Sequence, residues 1–350
     1  MTVNENKKKA LEAAMKAIDK QHGAGTVMMM GDGSRQAVEH VSSGCFTLDR
    51  ALGIGGYPKG RIVELIGAEA SGKTTLALHA IASCQQQGGF AAFIDAEHAL
   101  DPVYAKAIGV DTENMIISQP DYGEQAIDVA EKLILSGAVD MVVIDSVAAL
   151  IPKSELEGDM EQQAVGVQAR LMSKAMRKLA GAVNKSKCVL IFINQIREKV
   201  GVMYGNPETT PGGRALKFFA SIRIEIRQVS GSTMKDGNVA TGHTVKAKII
   251  KNKVAPPFKE AQYDIFYGKG ISCESQILNA AVDMDVIHKS GSWFTYKDYK
   301  WHGLNEVRDT YNSDADFKKE IQDAVNQNSI VPEGDPVMDD DDELDLDFDN

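Results

Sequence analysis

Cysteine is scarce in this chain. Cys45, Cys84, Cys188 and Cys273 are the only four in 350 residues, and no two form a C-x-x-C pair. That scarcity excludes a disulfide framework and a tetrahedral zinc site, and it predicts reduced thiols. Long hydrophobic runs are missing too. The longest, such as Val189-Leu190-Ile191-Phe192-Ile193, are far too short to cross a bilayer, so no membrane partner is expected. The N-terminal stretch carries Lys7, Lys8 and Lys9 ahead of an amphipathic pattern. It lacks the apolar centre and small-residue cleavage site of a signal peptide, and a cytoplasmic protein is expected.

Basic charge is missing from one end. Residues 332–350 hold ten acidic groups and no basic one, although the whole chain has a net charge of only −11. Without those ten, 39 acidic residues face 38 basic ones, so the body is close to neutral. Such a block predicts a disordered acidic tail, which either solubilises the chain or competes with polyanions for a basic surface. Hydrophobic content of 43% and charged content of 25% belong to a soluble globular protein. The length allows one sizeable core with smaller appendages.

The most informative stretch present is Gly67-Ala68-Glu69-Ala70-Ser71-Gly72-Lys73-Thr74. It follows the apolar run Arg61–Ile66 and precedes a helical pattern starting at Thr75. Strand, G-x-x-x-x-G-K-T, helix is the setting of a phosphate-binding P-loop. The two glycines let backbone N–H groups close around phosphate oxygens, and the helix N-terminus adds partial positive charge. Lys73 reaches the β- and γ-phosphates, and the Thr74 hydroxyl suits Mg²⁺. The chain is expected to bind a nucleoside triphosphate.

Apolar strands at 61–66, 90–95, 139–145 and 188–193 alternate with helical patterns. This is the signature of an α/β fold with a mostly parallel, helix-covered sheet. Stretches 221–227 and 244–250 alternate apolar and polar residues, and they predict later, partly exposed antiparallel strands. Residues 5–20 place Ala10, Leu11, Ala14, Met15 and Ile18 at helical spacing. That helix packs either on its own core or on a neighbouring subunit. Beyond about residue 270, tryptophans, tyrosines and a helix over 314–326 predict a small α/β domain. The expected division is an N-terminal arm at 1–34, a core at 35–270, the small domain at 271–331 and the tail at 332–350.

Ligands sit at the carboxyl ends of strands in such sheets, so strand-end residues are the candidates. Asp145 fits a Walker-B carboxylate holding Mg²⁺, although a strand-end Asp also caps helices. Glu97 lies just past a strand end, where a carboxylate can deprotonate the attacking water; Asp95 competes but suits a structural hydrogen bond. Gln195 can sense the γ-phosphate. It opens residues 196–213, a loop rich in glycine and proline that carries Arg197, Lys199 and Arg214 around apolar Val200. Basic residues framing apolar wedges suit a nucleic-acid strand, and a lid over the nucleotide is the alternative. A second candidate loop covers about 156–166. The helical pattern after it lines Arg170, Lys174, Arg177 and Lys178 into a basic stripe.

These motifs together resemble the bacterial RecA recombinase family. The similarity runs from the N-terminal helix to about residue 330. It rests on Gly67–Thr75, Phe93–Pro102 around Glu97, Val143–Leu150, Ile191–Arg197 and Gly205–Thr210. The resemblance implies an ATP-dependent DNA recombinase that forms helical filaments on single-stranded DNA and also engages double-stranded DNA. It implies co-protease activity toward a LexA-type repressor. Glu97 would activate the hydrolytic water. Gly67, Glu69, Ala70, Ser71, Gly72, Lys73, Thr74 and Thr75 would hold phosphates, with Thr74 and Asp145 on Mg²⁺. Asp101 and Tyr104 would contact adenine, and Lys251 and Lys253 would reach the γ-phosphate of an adjacent subunit. Arg170, Ser173, Arg177, Gly212, Gly213 and Arg214 match DNA-phosphate contacts, and Val165 and Val200 match base-step wedges. Ala68 and Ala70 depart from the usual Pro and Ser, and Val165 stands where Met is frequent. The rival readings are a ring-forming motor, of helicase or clock type, and a P-loop kinase for a small molecule.

Overall fold

The computed structural model describes residues 3–23, 26–27, 38–158, 166–198 and 208–329. The N-terminal unit contains the helix α1 (Val3–His22), on which Ala10, Leu11 and Ala14 are exposed, Leu11 to 49%, while Met15 and Ile18 are half-buried. The rest of the described chain forms a second unit. It begins with the short strands His40–Val41 and Tyr57–Pro58, paired antiparallel around helix α2 (Phe46–Leu52), and continues with the strand β1 (Ile62–Gly67) and helix α3 (Lys73–Gln86). Then come β2 (Ala91–Asp95), α4 (Pro102–Ile108), β3 (Ile116–Ser118), α5 (Gly123–Leu135) and β4 (Met141–Asp145). Helix α6 (Val167–Ser186), β5 (Val189–Gln195), α7 (Ala215–Phe219) and β6 (Ile222–Gln228) follow. Strands β7 (Val239–Asn252), β8 (Glu260–Phe266) and β9 (Gly270–Ile271) complete the main sheet.

The sheet runs β9-β8-β7-β6-β1-β5-β4-β2-β3, and the short strand Met234–Asp236 pairs with β7. From β6 to β3 all neighbours are parallel; from β6 outward to β9 they are antiparallel. Continuous apolar strands need cover on both faces, because successive side chains point opposite ways. Val63, Leu65, Phe93, Val143 and Ile191 pack on the α3 side. Their neighbours Ile62, Ile94, Val142, Ile144 and Phe192 pack under α5 and α6. A third core joins helices Cys273–Asp283, Leu304–Ser313 and Ala315–Ser329 to a three-stranded antiparallel sheet through Leu278, Trp301, Phe317 and Ile321.

One strand expectation is corrected. Residues 222–228 are antiparallel along one edge only, and exposed only at Arg227 and Gln228. β6 lies inside the sheet, parallel to β1 in register Arg223↔Glu64, and only its other edge, toward β7, is antiparallel. Its alternation has a different origin. Ile222, Ile224 and Ile226 fill the core, and on the other face the buried Arg223 Nε donates to Glu64 Oε2 at 2.6 Å. Asn194 Nδ2 donates to the second Glu64 oxygen at 2.9 Å. A buried ion pair persists only when its remaining lone pairs are also satisfied, which Asn194 provides.

His79 of α3 ties the antiparallel edge to the P-loop helix. Ile271 N–H donates to its Nε2 at 2.7 Å. Burial lowers the pKa of the ring to about 4, so it stays neutral.

Candidate active site

β1 ends at Gly67, and α3 starts at Lys73, so the turn between them is 68–72. Gly72 sits at φ +91°, and a Cβ there would meet Ile265 Cδ1 at 2.4 Å. Only glycine therefore lets the turn close against β8. Lys73 Nζ donates to Ala68 O at 2.5 Å and to Ser71 Oγ at 3.5 Å, folding back over the turn it will serve. Burial lowers the Lys73 pKa, opposed by the negative charges of Asp145, Glu97 and Glu69.

Thr74 Oγ1 donates to Asp145 Oδ2 at 2.6 Å. A hydroxyl and a carboxylate oxygen converging at a phosphate turn form the hard oxygen pair that Mg²⁺ takes, and the donor set fits that ion. Burial, with the charges of Glu97 and Asp95 beside it, pushes the Asp145 pKa up to about 6; Thr74 and Lys73 act the other way.

Glu97 follows β2 across the sheet edge, where Ala96 N and Glu97 N both donate to Asp145 O. Glu97 Oε1 accepts from Ser146 Oγ and, at 3.0 Å, from Gln195 Nε2. Gln195 Oε1 in turn accepts from Arg197 Nη2 at 2.8 Å. A continuous polar line therefore runs from Ser146 through Glu97 and Gln195 to Arg197. Asp95 has a different task. Its carboxylate accepts from Ala99 N, Leu100 N and Gln119 Nε2, which folds the 96–101 loop.

The loop after Gln195 is pinned at its base. Arg197 and Glu198 pair with Thr209 and Glu208 in antiparallel register, and Asn194 Nδ2 contacts Pro211 O at 3.4 Å. Gly212 and Gly213 both have positive φ. Added Cβ atoms would meet Val147 Cγ1 and Ala169 Cβ at 2.8 Å, so these glycines let the loop seat against α6. Arg170, Arg177 and Arg214 are exposed near this seat, and Arg177 Nε donates to Ser173 O at 3.1 Å. Lys174 and Lys178 are exposed on the same helix, and Lys178 also pairs with Glu131 at 2.8 Å. Val165, Lys199 and Val200 lie outside the described residues, as do most of the 156–166 loop and the 332–350 tail.

A cavity of 230 Å³ is lined by Ala70–Thr75 with Tyr104, His243, Ile265 and Tyr267. Tyr104 OH is 3.0 Å from Thr75 Oγ1. Asp101 does not line the cavity; it caps α4 by accepting from Val103 N at 2.8 Å. Lys251 and Lys253 are absent from its walls. Lys251 Nζ donates to Lys217 O and Phe218 O at 2.8 and 3.0 Å, capping α7, and Lys253 is exposed. Burial, then the positive charges of Lys253 and Arg223, lowers the Lys251 pKa.

The Glu64–Arg223 pair, His243 and Tyr267 escaped the sequence reading, and Ser146 and Asn194 were recognisable only as polar strand ends, without a role. Asn194 sits beside a recognised strand end, and Tyr267 precedes a glycine. His243 has no local signal, because β7 brings it to the cavity from far along the chain.

These groups gather where open parallel sheets bind ligands, and fold and site define the class: a P-loop nucleoside triphosphatase. The family described as RecA N-terminal domain matches residues 9–272, and the RecA C-terminal domain family matches 275–329. The chain is 55% identical to the RecA protein of Clostridium novyi over 326 residues, 93% of each chain. It is 56% identical to those of Oceanobacillus iheyensis, over 92% of each chain, and Bacillus subtilis, over 91% of each. The chain belongs to the RecA family. It is accordingly a nucleotide-binding, DNA-dependent ATPase of recombination and repair, with DNA binding and filament formation. No described helix is long and apolar enough to cross a membrane.

Proposed function

We propose that this protein couples ATP and Mg²⁺ at the P-loop to its grip on DNA through Gln195. The observation that carries this reading is the hydrogen bond from Gln195 Nε2 to Glu97, at the root of the 196–213 loop. Ala70–Thr75 wrap the phosphates, Lys73 neutralises their charge, and Tyr104 faces the base. Mg²⁺, held by Thr74 and Asp145, would offset charge on the β- and γ-phosphate oxygens. Glu97 takes a proton from the attacking water. Gln195 exchanges its bond to Glu97 for one to a phosphate oxygen, and the pinned loop shifts with it.

Arg170, Ser173, Arg177, Arg197, Gly212, Gly213 and Arg214 hold DNA phosphates, with Lys199 adding charge and Val165 and Val200 opening base steps. Contacts of this kind position DNA without reading its sequence, so base pairing supplies homology. Lys251 and Lys253 act on the ATP of a neighbouring protomer, as their absence from their own cavity favours. The apolar stripe of α1 docks on the next protomer. On this reading the arm ends near 34, the ATPase core spans 35–270 and the small domain 271–331. The protein works in the cytoplasm and promotes self-cleavage of a LexA-type repressor. ATP turnover titrated with single-stranded DNA, alongside electron microscopy, tests the reading. DNA-stimulated turnover with open helical filaments is expected; closed rings or DNA-independent turnover would overturn it.

A further inference from the structure

Glu97 is exposed, yet one buried segment holds it at both ends. Asp145 O accepts from Ala96 N and Glu97 N, at 2.8 and 3.3 Å, which fixes the main chain. Ser146 Oγ donates to Glu97 Oε1, which fixes the carboxylate. Ser146 is 0% exposed, and among the described residues Glu97 is the one partner of its hydroxyl. An exposed glutamate left to itself samples several rotamers, and the bond from Ser146 works against that entropy.

The donor itself is fixed by the fold. Ser146 follows β4 and opens the single turn Val147–Ala149, where Ala149 N donates to Ser146 O at 3.0 Å. Gln168, in the first turn of α6, braces that turn by donating from Nε2 to Val147 O at 2.9 Å. Val147 is fully buried, and Gly212 closes against it. Gln195, the second donor to Oε1, lies instead at the root of the loop that shifts on the proposed reading. A carboxylate oxygen offers two lone-pair sites, and Ser146 and Gln195 fill both on Oε1. When the amide leaves, one site opens to the attacking water. Its direction is then set by what still holds the carboxylate.

We propose that Ser146 is a positioning residue for hydrolysis: it stays on Oε1 as Gln195 leaves and keeps the vacated lone pair aimed at the water. The inference rests on the reading of Glu97 as the base and of Gln195 as its mobile partner. Proton transfer needs the base within hydrogen-bond reach, and a small misplacement costs a large factor in rate.

The test compares steady-state ATP turnover of full-length variants, with Mg²⁺ and saturating single-stranded DNA, against their nucleotide affinity and thermal stability. Ser146→Ala should lower kcat about ten- to a hundredfold, the size of one hydrogen bond to a charged group, and leave KM and nucleotide affinity within about twofold. Ser146→Thr, which keeps the hydroxyl, should recover part of the loss. In a Glu97→Gln background the same alanine should cost nothing more, because no base is left to aim. A serine that served only the packing would cost the same in either background. If Ser146→Ala does not fold, Ser146→Cys carries the test: it keeps the shape with a weak donor and should lose kcat at constant KM. Wild-type kcat in a folded alanine or cysteine variant overturns the inference, as does an equal loss in the Glu97→Gln background. Wild-type turnover by Glu97→Gln itself would instead sink the reading of Glu97 as the base, and the inference with it.

Discussion

Glu97 and Asp145 lie side by side at the sheet edge and do opposite work. If Glu97 takes the proton of the attacking water, as proposed, Glu97→Ala is expected to lower DNA-stimulated ATP turnover by about 10²–10⁴-fold while sparing nucleotide and DNA binding. Phosphate release, read beside a nucleotide-binding titration, checks this; unchanged turnover would remove Glu97 from the mechanism. Asp145 is instead held charged against its surroundings. Its pKa rises in the fold to about 6, so the folded protein binds that proton more tightly than the unfolded chain does. The resulting penalty is full above pH 6 and fades as pH falls toward the ordinary carboxylate range. Asp145→Asn should therefore stabilise the nucleotide-free protein at pH 7.5, by on the order of 2–3 kcal/mol, and give no advantage near pH 4. Paired thermal melts at the two pH values decide the matter. The same variant should bind Mg²⁺–nucleotide poorly.

Among the elements, β6 shows what packing adds to pattern. Arg223 and Glu225 between isoleucines look like a solvent-facing edge, because nothing nearby in sequence announces Glu64 as the partner. Of the five main-sheet strands before β6, four were legible because buried parallel strands are continuous apolar runs; β3 was not, being three residues with both isoleucines exposed. The P-loop was legible because its chemistry is local. The cavity wall was not: His243 and Tyr267 arrive on the antiparallel extension, and only the sheet order brings them to the P-loop. Arg223→Met should cost about 3–5 kcal/mol by leaving Glu64 charged and unpaired inside the sheet. Adding Glu64→Gln, which keeps an acceptor for Asn194, should recover most of it. Urea titrations of the singles and the double variant measure that coupling, and additive losses would mean the pair is not coupled.

For the whole molecule, two deletions separate assembly from chemistry. Removing residues 3–22 should abolish filaments seen by light scattering or microscopy and leave nucleotide affinity intact, since α1 exposes Ala10, Leu11 and Ala14 of its apolar stripe. Removing 332–350 should tighten binding to duplex DNA and steepen its salt dependence, because ten negative charges no longer compete for the basic surface. Identical binding isotherms would reduce the tail to a solubiliser.

The bond between Gln195 and Glu97 has a cost for an idle enzyme. The Glu97 oxygen that accepts from Ser146 and Gln195 has its lone pairs engaged, so a water can bond to it only by displacing one of them. On the proposed reading, drawing the Gln195 amide away opens that oxygen to a water as the loop beyond Gln195 shifts. Read that way, the bond is a brake on hydrolysis away from DNA, and binding DNA is what would lift it.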